Sequence, residues 1–562
     1  MDPAPAQLAA SFADGRRLWG SLGAFGPLEW AALGLMLLLA GVCVVWGLRL
    51  PAEYRGRGRL HRAAAALMPL AIFLVALLYL RRIGLAPYEP WNGTLLAPTV
   101  ALAHGYDLYY GRDTGPIQVT EYGPVSHIVY LPAALAGTPT PAILIAEAIT
   151  VLLVLSPLLL LLLQGRWKER RQHIAALAGF VFAAGALTLV DASKDFITKI
   201  GPDAPAVGLG LLSCLVIMGT RETPTHRRLA LCALLATLSC WAKQIEAPLI
   251  LAQALYLGIA HGRRTAFWFL AWVLVMGTAA GLGFVAVFRF ENMSWHMFIK
   301  HTQRPWDRTL FEDGFILLRQ SAVFIVLVVV ASVVAWEFAR RSGLGRRGWL
   351  RENPWALLVA AAVFLFPTGA LSDAILGGGH NSYHSAYYLV AASALILVQF
   401  ATTGASGSVR KNAARLLFLF AAWALVCQPT AFVPTQALFA RTEDPEQQAY
   451  AFTRKHPGEA YFPWHPLAAL MAEGRLYHSE PGVVDRIEAR YEPTDSHFRA
   501  HLPPDIRYMI FRERAESQRI LNFLPEFQST VQLRALSGWV VYARDEETRP
   551  ASRPRPLTGA AP

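Results

Sequence analysis

Charge is scarce in this chain: of 562 residues only 16% are Asp, Glu, Lys or Arg, while 54% are hydrophobic. A soluble chain carries about 25% charged residues, so the composition excludes a cytosolic enzyme. The scarcity is also uneven. Long stretches hold almost no charge, whereas roughly the last 130 residues read as a soluble unit, which excludes a simple single-anchor protein. Cysteine is scarce as well. Cys43, Cys214, Cys232, Cys240 and Cys427 lie singly in apolar stretches with no paired spacing, which excludes a disulfide scaffold and a Cys-based metal centre. Residues 1–26 lack an apolar core and a small-residue cleavage site, so no cleavable leader is expected before the first apolar span. No internal repeat of the kind carried by many transporters is visible.

What is present is a series of apolar runs. A bilayer core of about 30 Å needs about 20 helical residues, and the pattern predicts twelve spans, centred near residues 38, 72, 152, 182, 212, 235, 253, 277, 326, 363, 394 and 421. The net charge of +12 comes largely from Arg clusters between spans, such as Arg55/Arg57/Arg59/Arg62, Arg166/Lys168/Arg170/Arg171 and Arg340/Arg341/Arg346/Arg347/Arg351. These clusters follow alternate spans and so lie on one side, the cytoplasm by the positive-inside rule. The charge therefore needs no nucleic-acid partner. Both termini are expected on the outer side of a bacterial cytoplasmic membrane.

The expected organisation is an outer segment 1–26, a transmembrane domain 27–430, a small C-terminal α/β domain 431–545 on the outer face and a disordered tail 546–562. Outer loops fall at 81–141, 289–314 and 372–384. Within the first, Pro90 to Ala103 has near-helical apolar spacing with Pro at the first position. It predicts an amphipathic helix lying on the outer membrane surface.

Ionisable residues near a membrane are costly and point to function. Glu89, just past the second span, and Glu121 in TEYGPVSH are the candidate catalytic carboxylates. Two acids outside a membrane can deprotonate an acceptor hydroxyl, or one can hold a divalent cation. Magnesium or manganese is the expected ion if there is one, with Glu89 or Glu121 as its ligand. Asp107 and Asp113, in YDLYYGRD, are weaker candidates that also suit turns.

Among cations, Lys243 sits between two short apolar halves and calls for an anion such as a lipid phosphate, or for pairing with Glu246 or an outer-loop acid. Lys194 and Arg304 are candidate substrate ligands, while Lys199, Arg289, Lys300, His301 and Arg308 read as solvated loop residues. GGGHNSYHSAYY, 377–388, adds His380 and Asn381 as donors beside glycines that permit close approach. Gly379 and Asn381 argue against a helical His380/His384 metal pair.

With these residues placed, the layout resembles the GT-C superfamily of membrane glycosyltransferases, most of all the bacterial mannosyl-, arabinosyl- and aminoarabinosyl-transferase types. EPWNGTLLAPTVALAHG is similar to that family's acidic motif and following helix, and TEYGPVSHIVYLP to its next motif. PDAPAVGLGLL and LLATLSCWAKQ are similar to two later segments. The resemblance covers about 85–430. It departs from the family in having Tyr88-Glu89 where an Asp-Glu pair is usual, and one additional N-terminal helix.

The resemblance implies an enzyme moving a sugar from a polyprenyl-phosphate donor to a glycan, lipid or protein acceptor on the outer face, with inversion. It implies Glu89 as base or metal ligand, Glu121 as the second-motif acid and Lys243 as phosphate partner. A transporter or lipid flippase is the alternative. It would place its ionisable residues at mid-membrane on broken helices, whereas here they gather at outer ends.

Overall fold

The computed structural model describes residues 72–164, 170–189, 197–218, 222–307, 322–341, 343–402 and 444–544, with short gaps, and two positions near residue 36. The expected spans centred near 38 and 421, Lys194 and Arg308 therefore lie outside the described residues, apart from those two positions.

The membrane part consists of α1 (Pro90–Ala103), α2 (Pro139–Gln164), α3 (Arg170–Leu189), α4 (Asp203–Met218), α5 (His226–Ala242), α6 (Ala247–Ala260), α7 (Arg263–Phe288), α8 (Ala322–Arg341), α9 (Trp355–Asp373) and α10 (His384–Thr402). Among the described residues α2, α7 and α9 are long and apolar enough to cross a bilayer, and 176–187, α4 and 244–260 are shorter apolar helices. At about 1.5 Å per residue the 26 residues of α2 reach farther than about 30 Å of hydrocarbon. α7 is equally long, and its most apolar window has nothing buried inside the protein. A helix apolar all round and unburied in its own fold suits a lipid environment.

The main core is built where α3, α4, α6, α9 and α10 meet, around Phe182, Leu211, Leu257, Leu358 and Tyr388, all fully buried or nearly so. Small residues permit close helix approach: a Cβ at Gly208 would lie 2.5 Å from the Leu153 carbonyl.

The helix expected to float on the membrane surface is α1, and it does not float. Nine of its fourteen residues are buried, against α2, residues 131–135 and the C-terminal unit. Its apolar residues surround the axis, so it packs as a core helix. Gly93 lets the buried Glu446 carboxylate approach: a Cβ there would meet Glu446 Oε1.

The C-terminal unit comprises α11 (Pro445–Lys455), α12 (Pro466–Glu473) and α13 (Glu480–Glu488), followed by two shorter helices, and four strands. These are β1 (Ala460–Tyr461), β2 (Tyr508–Phe511), β3 (Ser529–Val531) and β4 (Val540–Ala543), in the order β1-β2-β4-β3. β1 runs parallel to β2, and β4 pairs antiparallel with both β2 and β3, with Phe511 opposite Val540.

The unit is clamped to the 81–141 segment. Thr94 Oγ1 donates to the Trp464 carbonyl at 2.7 Å, and Tyr106 Oη to that of Gly474 at 2.9 Å. The Ile117 amide donates to His478 Nδ1 at 2.8 Å while His478 Nε2 donates to the Phe498 carbonyl at 3.0 Å, which fixes the imidazole tautomer. Ser479 returns its amide to the Ile117 carbonyl at 2.8 Å.

Candidate functional site

Glu121 is placed by its neighbours in sequence. Thr120 Oγ1 lies 2.9 Å from His296 Nδ1, and the Gln244 side-chain amide donates to the Glu121 carbonyl at 3.0 Å and the Met297 carbonyl at 3.1 Å. Gly123 lies so close to α5 that a Cβ would stand 1.9 Å from the Trp241 carbonyl oxygen. The glycine in EYGP is therefore required by packing.

The segment after α7 turns through Arg289, a non-glycine residue at φ 60°, into residues 290–302. A π-helical stretch at Trp295–Ile299, a feature frequent at functional sites, precedes Lys300 and Arg304, which the fold turns inward. Glu121 Oε1 accepts from Lys300 Nζ at 2.6 Å and from Arg304 Nη2 at 2.7 Å. Asp485, on α13, completes the group at 3.0 Å from Arg304 Nη2 and 4.0 Å from Lys300 Nζ. The expectation of a solvated Lys300 is thus overturned: it is 1% exposed, because it sits between two carboxylates.

Burial opposes charge on Glu121, but Lys300, His301 and Arg304 outweigh it and hold the carboxyl well below the usual range. Asp485 goes the other way: burial and the Glu121 charge push it up to about 8, against Lys300 and Arg304. Burial lowers His301, so it is neutral near pH 7.

A second buried pair lies nearby. α5 ends at Lys243, whose Nζ is 2.6 Å from Asp203 Oδ1 and donates to the Asn381 carbonyl at 2.8 Å. Asp203 belongs to the first turn of α4, where the helix dipole favours an acid, and His384 Nδ1 lies 3.4 Å from the same oxygen. Of the two partners expected for Lys243, the acid is present, but it is Asp203 rather than Glu246. Glu246 accepts from Ser385 Oγ.

Both groups reach one cavity of about 820 Å³, lined among others by Glu121, Tyr122, Lys243, His301, Arg304 and Asn381. Gly377, Gly378 and Gly379 form part of its wall. Gly377 adopts φ +77°, and a Cβ there would stand 2.6 Å from Glu488 Oε2 and 3.1 Å from Arg304 Nη1. The cavity also takes in apolar side chains that remain open to the surroundings: Leu251 at 58%, Phe298 at 52%, Trp306 at 59% and Leu371 at 51%.

Glu121, Lys243, Arg304 and Asn381 are therefore brought together, and other expected site residues are not. Glu89 is the N-cap of α1 without a capping side-chain bond, 3.4 Å from Lys199 and off the cavity wall. Asp107 and Asp113 are exposed and off it as well. His380 is half-exposed, 3.5 Å from Asp373, while His384 is buried beside Asp203. The two histidines thus face different acids, although His380–Tyr383 form a 3-10 helix leading into α10 rather than the loop expected from Gly379 and Asn381.

Asp203 and Asp485 were not anticipated. Asp203 carried a signal, an acid opening an apolar helix in PDAP. Asp485, in the ordinary-looking segment PGVVDRIE, carried none.

The expected magnesium or manganese ion does not fit these carboxylates. Glu121 and Asp203 each spend an oxygen on cationic nitrogens, and Glu89 faces Lys199, so a divalent cation would meet positive charge at each. Among the described residues no group of three or more His, Cys, Asp or Glu is arranged to hold a metal.

No protein-family model and no curated protein matches the sequence. Solved structures do match. ArnT from Cupriavidus metallidurans bound to undecaprenyl phosphate superposes with a TM-score of 0.50 at 12% identity, covering 85% of this chain and 98% of that one. Its apo state gives 0.48 at 13% identity, over 86% and 98%. The Archaeoglobus fulgidus oligosaccharyltransferase gives 0.40 at 11% identity, over 86% and 75%. The similarity to ArnT covers 85% of this chain, and the two share a fold.

Proposed function

We propose that the chain is a membrane glycosyltransferase that takes a polyprenyl-phosphate-linked sugar as donor and transfers the sugar to an envelope glycan, lipid or protein on the outer face of the cytoplasmic membrane. One observation carries this reading. The cavity joins buried cationic side chains, Lys243 and Arg304, to an exposed apolar rim on α6, α9 and the segment after α7. A ligand suited to both ends has an anionic head and a long hydrocarbon tail. The ArnT structure with undecaprenyl phosphate supports it as a fold precedent.

In this reading Arg304 and Lys243 receive the phosphate and stabilise the charge that grows on it as the sugar leaves. A polyprenyl phosphate is a good leaving group, so no general acid is needed. The acceptor oxygen attacks the anomeric carbon as the carbon–phosphate-oxygen bond breaks, the acceptor proton passes to a carboxylate, and the configuration inverts. Glu89 is the proposed base, with Glu121 holding Arg304 in place.

The test is extraction of lipid from the purified protein followed by mass spectrometry, together with incubation with a labelled polyprenyl-phosphate sugar. A co-purified polyprenyl phosphate and release of that phosphate with transfer of the sugar are expected. Movement of the intact lipid across vesicles without cleavage would replace this reading with a flippase.

A further inference from the structure

The C-terminal unit reaches a cavity-lining side chain through Asp485, 3.0 Å from Arg304 Nη2, and this contact assigns that unit a task. Arg304 is 94% buried, being 6% exposed, and commits a single nitrogen, Nη2, to both Glu121 and Asp485. Its Nε has no hydrogen-bond partner, and Nη1 lies against Gly377, whose missing side chain leaves it uncovered. Two carboxylates thus hold one corner of the guanidinium, and the remaining donors stay available to an anion.

Resting on the proposed donor, we infer that Asp485 is a positioning residue through which the C-terminal unit sets the affinity of the cavity for the donor phosphate. Asp485 orients the Arg304 guanidinium, and when ionised it competes with the phosphate for that charge. Two carboxylates and two cations, Glu121, Asp485, Lys300 and Arg304, sum to zero when all are charged. The Glu488 carboxylate also acts on Arg304, and protonation of Asp485 removes one of the negative charges that oppose a phosphate. The groups facing Asp485 are Glu121 and Tyr122 from the 81–141 segment, Lys300 and Arg304 from the segment after α7, and Glu488 on α13 itself. His301 stands beside Glu121. Tyr122 is raised by burial and His301 lowered by it, so across neutral and mildly alkaline pH the titrating member of this set is Asp485, in line with its raised carboxyl.

The experiment titrates the full-length protein in detergent with undecaprenyl phosphate, and with undecaprenol as the neutral control, between about pH 6.5 and about pH 9.5. Wild-type affinity for the phosphate should fall about tenfold across this window, the equivalent of one charge contact, although the ligand itself does not lose charge. Asp485→Asn should keep the affinity of the lower end throughout, Asp485→Glu should restore the fall, and undecaprenol should show neither trend. A wild-type profile that is flat or rises overturns the role of Asp485 whether or not the variants fold, and so does an Asp485→Asn profile parallel to wild type. If wild type binds no undecaprenyl phosphate at any pH, the proposed donor falls, and this inference with it.

Discussion

The Lys243 ammonium stands 2.6 Å from the Asp203 carboxylate, joining the end of α5 to the first turn of α4 at the wall of the cavity. Both side chains are nearly inaccessible, so each supplies the countercharge that makes the other tolerable.

Removing one member should therefore be worse than removing both. Lys243→Met leaves a buried carboxylate without its cation and is expected to lower stability by about 3–5 kcal/mol. Adding Asp203→Asn should recover much of that loss. The check is thermal unfolding of the two single variants and the double variant in the same detergent. A double variant no more stable than Lys243→Met would mean that the pair is not coupled as its geometry implies.

The carboxylates of the Arg304 group give pH effects of opposite sign. Glu121 is held below its ordinary 4.5, so its contribution is present above that value and is lost as pH falls through the lower folded value. Asp485 is raised from 3.8 to about 8. The folded state then binds the proton more tightly, and the stability so gained is present at low pH and lost between about pH 4 and about pH 8. Unfolding midpoints followed against pH should show Asp485→Asn flattening the decline that runs from about pH 4 up to about pH 8, and Glu121→Gln flattening the loss on acidification below about pH 4.5. If the two substitutions exchange these effects, the proton sits on the other carboxyl.

Packing predicts a third outcome. Gly123→Ala would set a methyl group 1.9 Å from the Trp241 carbonyl oxygen, a backbone atom that cannot swing away. Overpacking of this kind costs about 1–3 kcal/mol, and it would move Glu121, two residues earlier. Thermal unfolding should show the loss, whereas Gly105→Ala, with nothing within 4 Å but φ +86°, should show backbone strain alone. Equal losses for the two would remove the packing explanation.

Much of the cavity was legible because the membrane makes ionisable residues conspicuous. Lys243 between two apolar halves, Glu121 in EYGP and the glycine run at 377–379 each stood out locally, and each reaches the cavity wall. Asp203 was visible by the same logic but lay in PDAPAVGLGLL, a segment read for its likeness to the family and not for its acid. Lys300 failed for a different reason: burial depends on what folds over a residue, and nothing in ENMSWHMFIKH announces a cover supplied by Glu121 and Asp485. α1 was misread because its apolar spacing fits a one-sided surface helix as well as a two-sided core helix. Only the docking of α12 and the buried Glu446 decides between them.

Glu89 stands off the cavity wall and pairs with Lys199 at 3.4 Å. If it accepts the acceptor proton, Glu89→Gln should leave undecaprenyl phosphate binding unchanged, since the phosphate meets Arg304 and Lys243. Turnover with a labelled donor should fall by about 10²–10⁴, the usual worth of a general base. Lys243→Met should show the reverse, weakened lipid binding being the primary defect. Should Glu89→Gln retain wild-type turnover while Asp203→Asn abolishes it with binding intact, the base is Asp203, already on hand beside Lys243, and Glu89 is left with a structural pairing to Lys199.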